Sequence, residues 1–310
     1  MRKRLTELSR LPTLPGVHLK DEIAKITHRL VELNRERRLD KAVWDKVELA
    51  RHPERPYTLD YIHHMFPGFI ELRGDRCFGD DRSIVGGLAA YTGRTIMVIG
   101  HQKGRDLAAR TRRNFGMPRP EGYRKAQRLM SLAEKFGIPV FTLIDTPGAY
   151  PGVAAEERGQ AGAISSSLLC MARLDVPTVA VIIGEGGSGG ALALALADRV
   201  LMLENSIYSV ISPESCAAIL WKDAGEAHLA AQTLKLTSSH LAELGAVDGV
   251  LPEPRGGAHR DHAAAAAVVK EALEDSLREL DQVHPRVRKQ ARYQKFRRMG
   301  VWKENGLTLF

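Results

Sequence analysis

Apolar residues recur every three to four positions at Leu19, Ile23, Ile26, Leu30 and Leu33, with Lys and Glu between them. That spacing predicts an amphipathic helix. A second helix is expected over about Asp40–Arg51, and neither groups polar residues suited to chemistry, so residues 1–55 read as a helical arm. The pattern changes near Pro53. Thr58–Phe66 reads as a short helix, followed by Phe69–Leu72, and Ser83–Ala90 and Thr95–Ile99 read as strands joined by a hairpin turn at Tyr91–Arg94. Strands are then expected at Pro139–Ile144, Pro177–Ile183, Arg199–Leu203 and Tyr208–Ile211. Helices are expected at about Glu156–Ala172 and in the Ala/Leu run from Ala191. Three short helices fill Glu214–Leu244, Asp248–Leu251 is a last strand, and an amphipathic helix spans Asp261–Leu280.

Continuously apolar strands, each followed by a helix, indicate an α/β protein with a parallel sheet buried on both faces. The chemistry of such sheets sits beyond the carboxyl ends of the strands. Two segments stand there, Asp145–Gly152 and Gly184–Gly190.

Composition bounds the picture without changing it. The 310 residues suit about two domains, or one large α/β domain with extra helices. At 44% hydrophobic and 26% charged, the chain excludes disorder for most of its length. No apolar run approaches the roughly 18 residues of a membrane span. The basic start, Met1-Arg2-Lys3-Arg4, has no apolar stretch after it, so no secretory signal is expected. Cys77, Cys170 and Cys216 are too few and too far apart for a disulfide scaffold or a four-cysteine zinc site. They are expected to be buried small hydrophobes in a cytoplasmic, reducing setting.

Charge is more telling. The net charge is +8, and seven basic residues with no acid lie between Pro285 and Gly300, with Tyr293 and Phe296 interleaved. Two readings follow: an arm with weak affinity for nucleic acid or phosphate, or a helix docked on a partner with a solvated basic face.

Five of the seven residues Gly184–Gly190 are glycine, between a β-branched strand and an Ala/Leu helix. Tight helix–sheet packing would need only one or two. A helix N-terminus there offers free N–H groups to negative charge. Three functional readings compete. Gly184-x-Gly186-x-x-Gly189, with Glu204 twenty residues on, fits an NAD(P)-binding oxidoreductase. Gly186-x-Ser188-x-Gly190 fits a serine hydrolase elbow, with Asp198 or Asp223 and then His228, His240 or His259 as partners. The third is an oxyanion hole of backbone N–H groups for a thioester or biotin carbonyl. Asp145-Thr146-Pro147-Gly148 ends the neighbouring strand in a sharp turn. Two such turns side by side suit a carbonyl oxygen better than a pyrophosphate.

Seven segments, in order and at natural spacing, resemble the alpha subunits of bacterial acetyl-coenzyme A carboxylase carboxyltransferase. They are Arg51-His52-Pro53-x-Arg55-Pro56-Tyr57-Thr58-Leu59-Asp60-Tyr61, Gly100–Arg105, Arg113–Pro118, Asp145–Gly152, Gly184–Gly190, Tyr208–Glu214 and Pro252–His259. Each alone is weak; together they are specific, and the resemblance runs from the helical arm to about Arg298.

The resemblance implies a crotonase-type superhelix of ββα units over residues 56–258, with the helical arm before it and a C-terminal amphipathic helix and basic tail over 259–310. It implies transfer of a carboxyl group from carboxybiotin, borne on a biotin carboxyl carrier protein, to acetyl-CoA, giving malonyl-CoA for fatty acid synthesis. The implied partner is a beta subunit in an α2β2 assembly, which carries the zinc ribbon; ATP is used by a biotin carboxylase component, and no metal is expected in this chain. The biotin oxyanion falls to the backbone N–H groups of Gly189 and Gly190, with Gly148 on the opposite wall. Gly186, Gly187, Ser188 and Tyr150 would line the biotin pocket. Ser188 is expected to be an N-cap rather than a nucleophile. Lys103, Arg105, Arg112 and Arg113 are candidates for coenzyme A phosphates, while Glu156, Glu157, Arg158, His101 and His259 read as structural.

Overall fold

A computed structural model describes residues 42–300 continuously, with short pieces at 24–25, 27–29, 302–304 and 307–309. Most of the helix expected around Leu19–Leu33 lies outside the described residues. The second helix is present as α1, residues 42–50. Then follow α2 (Thr58–Met65), β1 (Ile70–Glu71), β2 (Ile84–Tyr91), β3 (Arg94–His101), α3 (Leu107–Arg112), α4 (Pro120–Phe136), β4 (Val140–Thr146), α5 (Val153–Glu157) and α6 (Gln160–Arg173). The second half runs β5 (Thr178–Gly187), α7 (Ser188–Leu192), β6 (Arg199–Leu203), β7 (Ile207–Ser209), α8 (Pro213–Trp221), α9 (Ala227–Thr233), α10 (Ser238–Glu243), β8 (Gly249–Leu251), α11 (His262–Asp281) and α12 (Pro285–Arg297).

The main sheet has the order β1-β2-β3-β4-β5-β6-β8, and β7 pairs with β5 off this path. β2 and β3 form an antiparallel hairpin closed at Tyr91↔Arg94. Its two turn residues, Thr92 and Gly93, both have positive φ, the conformation that matches strand twist in two-residue hairpins. From β3 onward the pairs are parallel. The sheet is thus mixed, with its parallel part where the continuous apolar runs placed it. Alternation explains those runs. Met97, Ile99, Val140, Ile144, Ala180 and Ile182 face one core with Tyr123, Leu129 and Met130 of α4. Val98, Phe141, Leu143, Val179, Val181 and Ile183 face the other, under α2 and the Val269, Leu273 and Leu277 stripe of α11. The amphipathic C-terminal helix is therefore a core element.

Three elements differ from the pattern reading. The helix expected over 156–172 is two helices, because Gly159 stands at φ +80° between them. The Ala/Leu run from Ala191 gives one helical turn rather than a helix. Leu194 and Ala195 close tight turns, and the hydroxyls of Thr142 and Ser167 donate to the carbonyls of Leu194 and Ala193. The long helix α4 had no counterpart in the pattern reading, although Pro120 opens it and left-handed Gly137 ends it.

The basic segment is α12, and it docks on this chain's own core. Arg288 and Arg292 are buried. The Arg292 guanidinium meets Asp198 at 2.8 Å and donates to the carbonyls of Met171 and Leu174 at the end of α6. Arg288 donates to Leu280 and Val283 at the end of α11. Lys289 pairs with Asp175 and Lys295 with Asp248, each at 2.6 Å. Cations at helix carboxyl ends offset the dipole and orphan carbonyls. Arg286, Arg297 and Arg298 remain exposed. Of the cysteines, Cys216 is buried, Cys170 is half-buried and Cys77, contrary to expectation, is exposed. No helix among the described residues is long and apolar enough to cross a membrane, and no group of three metal-ligating side chains occurs among them.

Candidate active site

Strands β4 and β5 lie side by side and parallel, and their carboxyl ends carry the two turns. Close approach explains most of the glycines. A Cβ on Gly187 would stand 2.1 Å from the Pro147 carbonyl oxygen, and one on Gly190 2.7 Å from both Ala149 N and Gly148 C. A Cβ on Gly184 would meet Asp145 Oδ1 at 2.5 Å, and one on Gly186 would meet the Tyr208 ring at 2.8 Å. Gly189 differs: its nearest neighbour would be Ile164, at an ordinary 3.5 Å. Packing does not require glycine there. Gly189 and Gly190 are in the first turn of α7, whose N–H groups have no acceptor within the helix. Gly148, at φ +150°, forms the facing wall, and its N–H is taken by Thr146 Oγ1 at 3.1 Å.

Ser188 is not the N-cap. It is the first helical residue, exposed, at φ +52°, while Gly187 holds the cap position. A strained serine suits a nucleophile elbow, but its partners are elsewhere. His228 stacks on Trp44, His240 bonds Thr237 at 2.9 Å, and His259 stacks on His52. Asp198 is held by Arg292, and Asp223 caps its own turn. Ser188 is accordingly expected to escape labelling by a fluorophosphonate; mass-spectrometric detection of an adduct would reinstate the hydrolase reading. The dinucleotide reading fails on space, since Gly184, Gly186 and Gly187 are filled by this chain's own atoms and α7 has only five residues.

Beside the turns lies a cleft of about 460 Å³, reached by Lys103, Arg105, Arg110, Tyr57, Glu185 and Pro147. Lys103 is not a free cation. Its ammonium bonds Asp145 at 2.6 Å and lies 3.9 Å from Glu185. Burial works against that charge, but the two carboxylates outweigh it and hold the pKa above its ordinary value. Asp145 also accepts the Glu185 N–H at 2.9 Å, which ties β4 to the glycine turn. Arg105 packs over Tyr57 and pairs with Asp60. Arg112 is exposed on α3, and Arg113 donates to the Arg82 carbonyl, so neither is brought to the cleft. Arg110, two residues earlier on α3, is there instead, over the Phe115 ring. Tyr150 lies under the Arg119 guanidinium, 4.8 Å from its ring, outside the cleft.

Two features escaped the pattern reading. Arg51 bridges Glu185 at the end of β5 (2.7 Å) and Glu214 at the start of α8 (2.6 Å). Arg55, fully buried, pairs with buried Glu253 at 2.5 Å and donates to the Ile183 carbonyl at 2.6 Å. Arg51, Arg55, Glu214 and Glu253 stood in segments that carry the family resemblance but without a role of their own, because pairs more than 100 residues apart leave no local spacing.

His101, the last residue of β3, is completely buried. Burial first, then the Lys103 charge, pushes its pKa down to about 3. The folded ring thus refuses a proton that the unfolded chain takes up near pH 6.5. Stability from this group is complete above about pH 6.5 and declines as pH falls toward 3. Thermal melts over that window are expected to show a shallower acid decline for His101→Leu than for the wild type; equal slopes would contradict the assignment.

The solved structures similar to this chain include transcarboxylase 12S (TM-score 0.59, 20% identity, 73% of this chain) and the geranyl-CoA carboxylase beta subunit of P. aeruginosa (TM-score 0.57, 18% identity, 77% of this chain). This chain spans 41% and 45% of those longer chains. The fold is therefore the crotonase type shared by these carboxyltransferases. Among curated relatives, the acetyl-coenzyme A carboxylase carboxyl transferase subunit alpha of Thermus thermophilus is 55% identical over 97% of this chain and 96% of its own length. That of an Azoarcus species is 54% identical over 93% of this chain and 90% of its own. The acetyl co-enzyme A carboxylase carboxyltransferase-like family model matches residues 1–300, and the chain belongs to that family.

Proposed function

We propose that this chain is the alpha half of a cytosolic two-subunit carboxyltransferase that moves a carboxyl group from carboxybiotin to acetyl-CoA, giving malonyl-CoA. Its beta partner completes the site and carries the zinc ribbon of the assembly, in an α2β2 arrangement. The observation that carries the reading is the pair of Gly-rich turns on β4 and β5, packed so closely that side chains are excluded at Gly187 and Gly190, while packing does not require glycine at Gly189. Such a cradle fits a flat ring presenting a carbonyl oxygen, and its donors are uncharged N–H groups fixed by the helix start.

Biotin, held on a carrier protein loaded by an ATP-dependent carboxylase, supplies the carboxyl group and a ring nitrogen basic enough to take a methyl proton. This chain's part is to hold charge and exclude water. The N–H groups of Gly189 and Gly190 donate to the acceptor oxygen on which negative charge builds. Each preorganised donor of this kind contributes about 3–4 kcal/mol to the transition state. Gly148 and Pro147 close the far wall, and Thr146 keeps the Gly148 amide from competing by accepting it. Arg105 and Arg110 at the cleft receive coenzyme A phosphates, whereas Lys103 serves through Asp145 to hold the turn.

Reconstitution tests this reading. The chain mixed with its beta partner is expected to form acetyl-CoA from malonyl-CoA in the presence of a biotin derivative, and each chain alone to be inactive. Equal activity from either chain by itself would overturn the division of the site.

A further inference from the structure

A strap of chain, residues 114–119, runs behind the wall of the site. Its first three residues are all left-handed, Asn114 at φ +48°, Phe115 at +56° and Gly116 at +80°. That conformation is uncommon for residues other than glycine and persists where the surroundings over-determine it. Buried Asp81 does so here. Its carboxylate accepts from Asn114 Nδ2 at 3.0 Å and from the Arg119 N–H at 2.6 Å, and so grips both ends of the strap. The strap in turn meets both ends of the turn after β4. At the far end, the Tyr150 N–H donates to the Pro118 carbonyl at 2.9 Å. At the near end stands Thr146, the last residue of β4, wholly buried. The one proton of its hydroxyl is shared between the carbonyls of Gly116 at 2.7 Å and Gly148 at 2.8 Å, while its oxygen accepts the Gly148 N–H at 3.1 Å. The β4–β5 ladder is irregular just before it, shifting from Ile144↔Ile182 to Thr146↔Gly186, and an irregular ladder leaves a turn to be fixed by other bonds.

We infer that Thr146 is a positioning residue of the carboxyltransferase: its hydroxyl ties residues 147–149 to the strap and so fixes the wall on which helix α7 and its first amides are seated. Contact across that wall is direct. A Cβ on Gly187 would strike Pro147, and one on Gly190 would strike Gly148 and Ala149, so no slack separates the turn from the helix start. A turn that shifts therefore takes the seat of α7 with it. Wholly buried, the hydroxyl touches no reacting atom; it acts through the Gly148 peptide and the strap. This inference rests on the carboxyltransferase reading given above.

Variants of the complex with the beta partner test it. Thr146→Val keeps the branched shape and removes the hydroxyl, whereas Thr146→Ser keeps the hydroxyl. Misplacing catalytic groups by about 1 Å costs on the order of 10²-fold, so Thr146→Val is expected to lower kcat by about 10–10²-fold. The KM for malonyl-CoA should stay within about threefold, because an interaction that serves the transition state alone lowers kcat and not substrate binding. Thr146→Ser is expected to hold kcat within about threefold of wild type, since the same bonds can form. Wild-type kcat in a folded Thr146→Val complex, a loss that falls on KM alone, or a serine variant no better than valine would overturn the positioning role. Asn114→Gly approaches the strap from its other side. Glycine accepts the same φ, and the change cuts the strap from Asp81 without altering β4. It is expected to lower kcat about three- to tenfold with KM kept. Unchanged kcat in Asn114→Gly rejects the strap as the anchor, whether or not Thr146→Val folds. Should Thr146→Val fail to fold, a lowered kcat in Asn114→Gly beside a near-wild-type serine variant supports the role. An inactive wild-type complex would instead reject the carboxyltransferase reading itself.

Discussion

Replacing Gly190 with alanine is expected to lower carboxyl transfer by about 10²–10³-fold, the loss seen when one oxyanion donor is removed. The new Cβ would lie 2.7 Å from Ala149 N and Gly148 C, both backbone atoms of the facing turn. Neither can rotate away, as a flexible side chain would. The β4 and β5 turns must separate, and the amides of Gly189 and Gly190 move with the β5 side. Overpacking of this kind costs about 1–3 kcal/mol of stability, which a chain of this size survives. Gly189→Ala is the matched control for the clash, since its Cβ makes only a 3.5 Å contact with Ile164. It should melt as the wild type does, and its smaller loss of turnover would reflect space taken from the acceptor alone. The check is kcat of the reconstituted complex beside thermal melts of each variant. A Gly190→Ala complex with wild-type turnover would remove the turn from the mechanism.

Much of this arrangement was legible in the chain. Parallel strands buried on both faces are apolar throughout, and Val179, Val181 and Ile183 alternate with Ala180 and Ile182 between two cores as that rule requires. The hairpin at Tyr91–Arg94 and both site turns also stood where turn residues placed them. What failed was information not held locally. The Ala/Leu run from Ala191 has every propensity for helix, yet side chains from β4 and α6 capture its carbonyls after one turn. The glycine segment was read as one ligand site, whereas four of its glycines answer to close neighbours on other elements and only at Gly189 would a Cβ make no more than an ordinary 3.5 Å contact. In the same way, sequence adjacency grouped Arg112 and Arg113 with Lys103, but helix α3 turns Arg110 toward the cleft instead. The charge of the C-terminal segment is mostly absorbed by helix carbonyl ends and by acids that lie 40 or more residues away, Asp198 and Asp248 among those acids.

The largest effect on stability is expected from Arg55→Met. Arg55 and Glu253 are both buried, joined at 2.5 and 3.1 Å, and the guanidinium also reaches Ser206 and the Ile183 carbonyl just before the glycine segment. Removing one partner of such a pair strands the other's charge, at a cost of about 3–5 kcal/mol. Burial pushes the Glu253 carboxyl up, but Arg55 and Asn205 more than reverse this, so its pKa lies below the ordinary carboxylate value. In the wild type, then, this group's contribution is present above the unfolded pKa near 4.3 and is lost as pH falls through the folded value. Without Arg55, burial, the largest influence on this carboxyl, is opposed only by the N–H groups of Asn205 and Ala258, and the folded pKa is expected to rise above the unfolded one. The sign inverts: acid lets Glu253 take a proton in the folded state, and the variant regains stability relative to wild type as pH drops from neutral. Glu253→Gln in the Arg55→Met background should give part of the same relief at pH 7, because a neutral amide replaces the stranded carboxylate. Melts of the three proteins across pH 4–8 check this. A constant gap between wild type and Arg55→Met over the whole range would show that lost packing, not the unpaired charge, sets the cost.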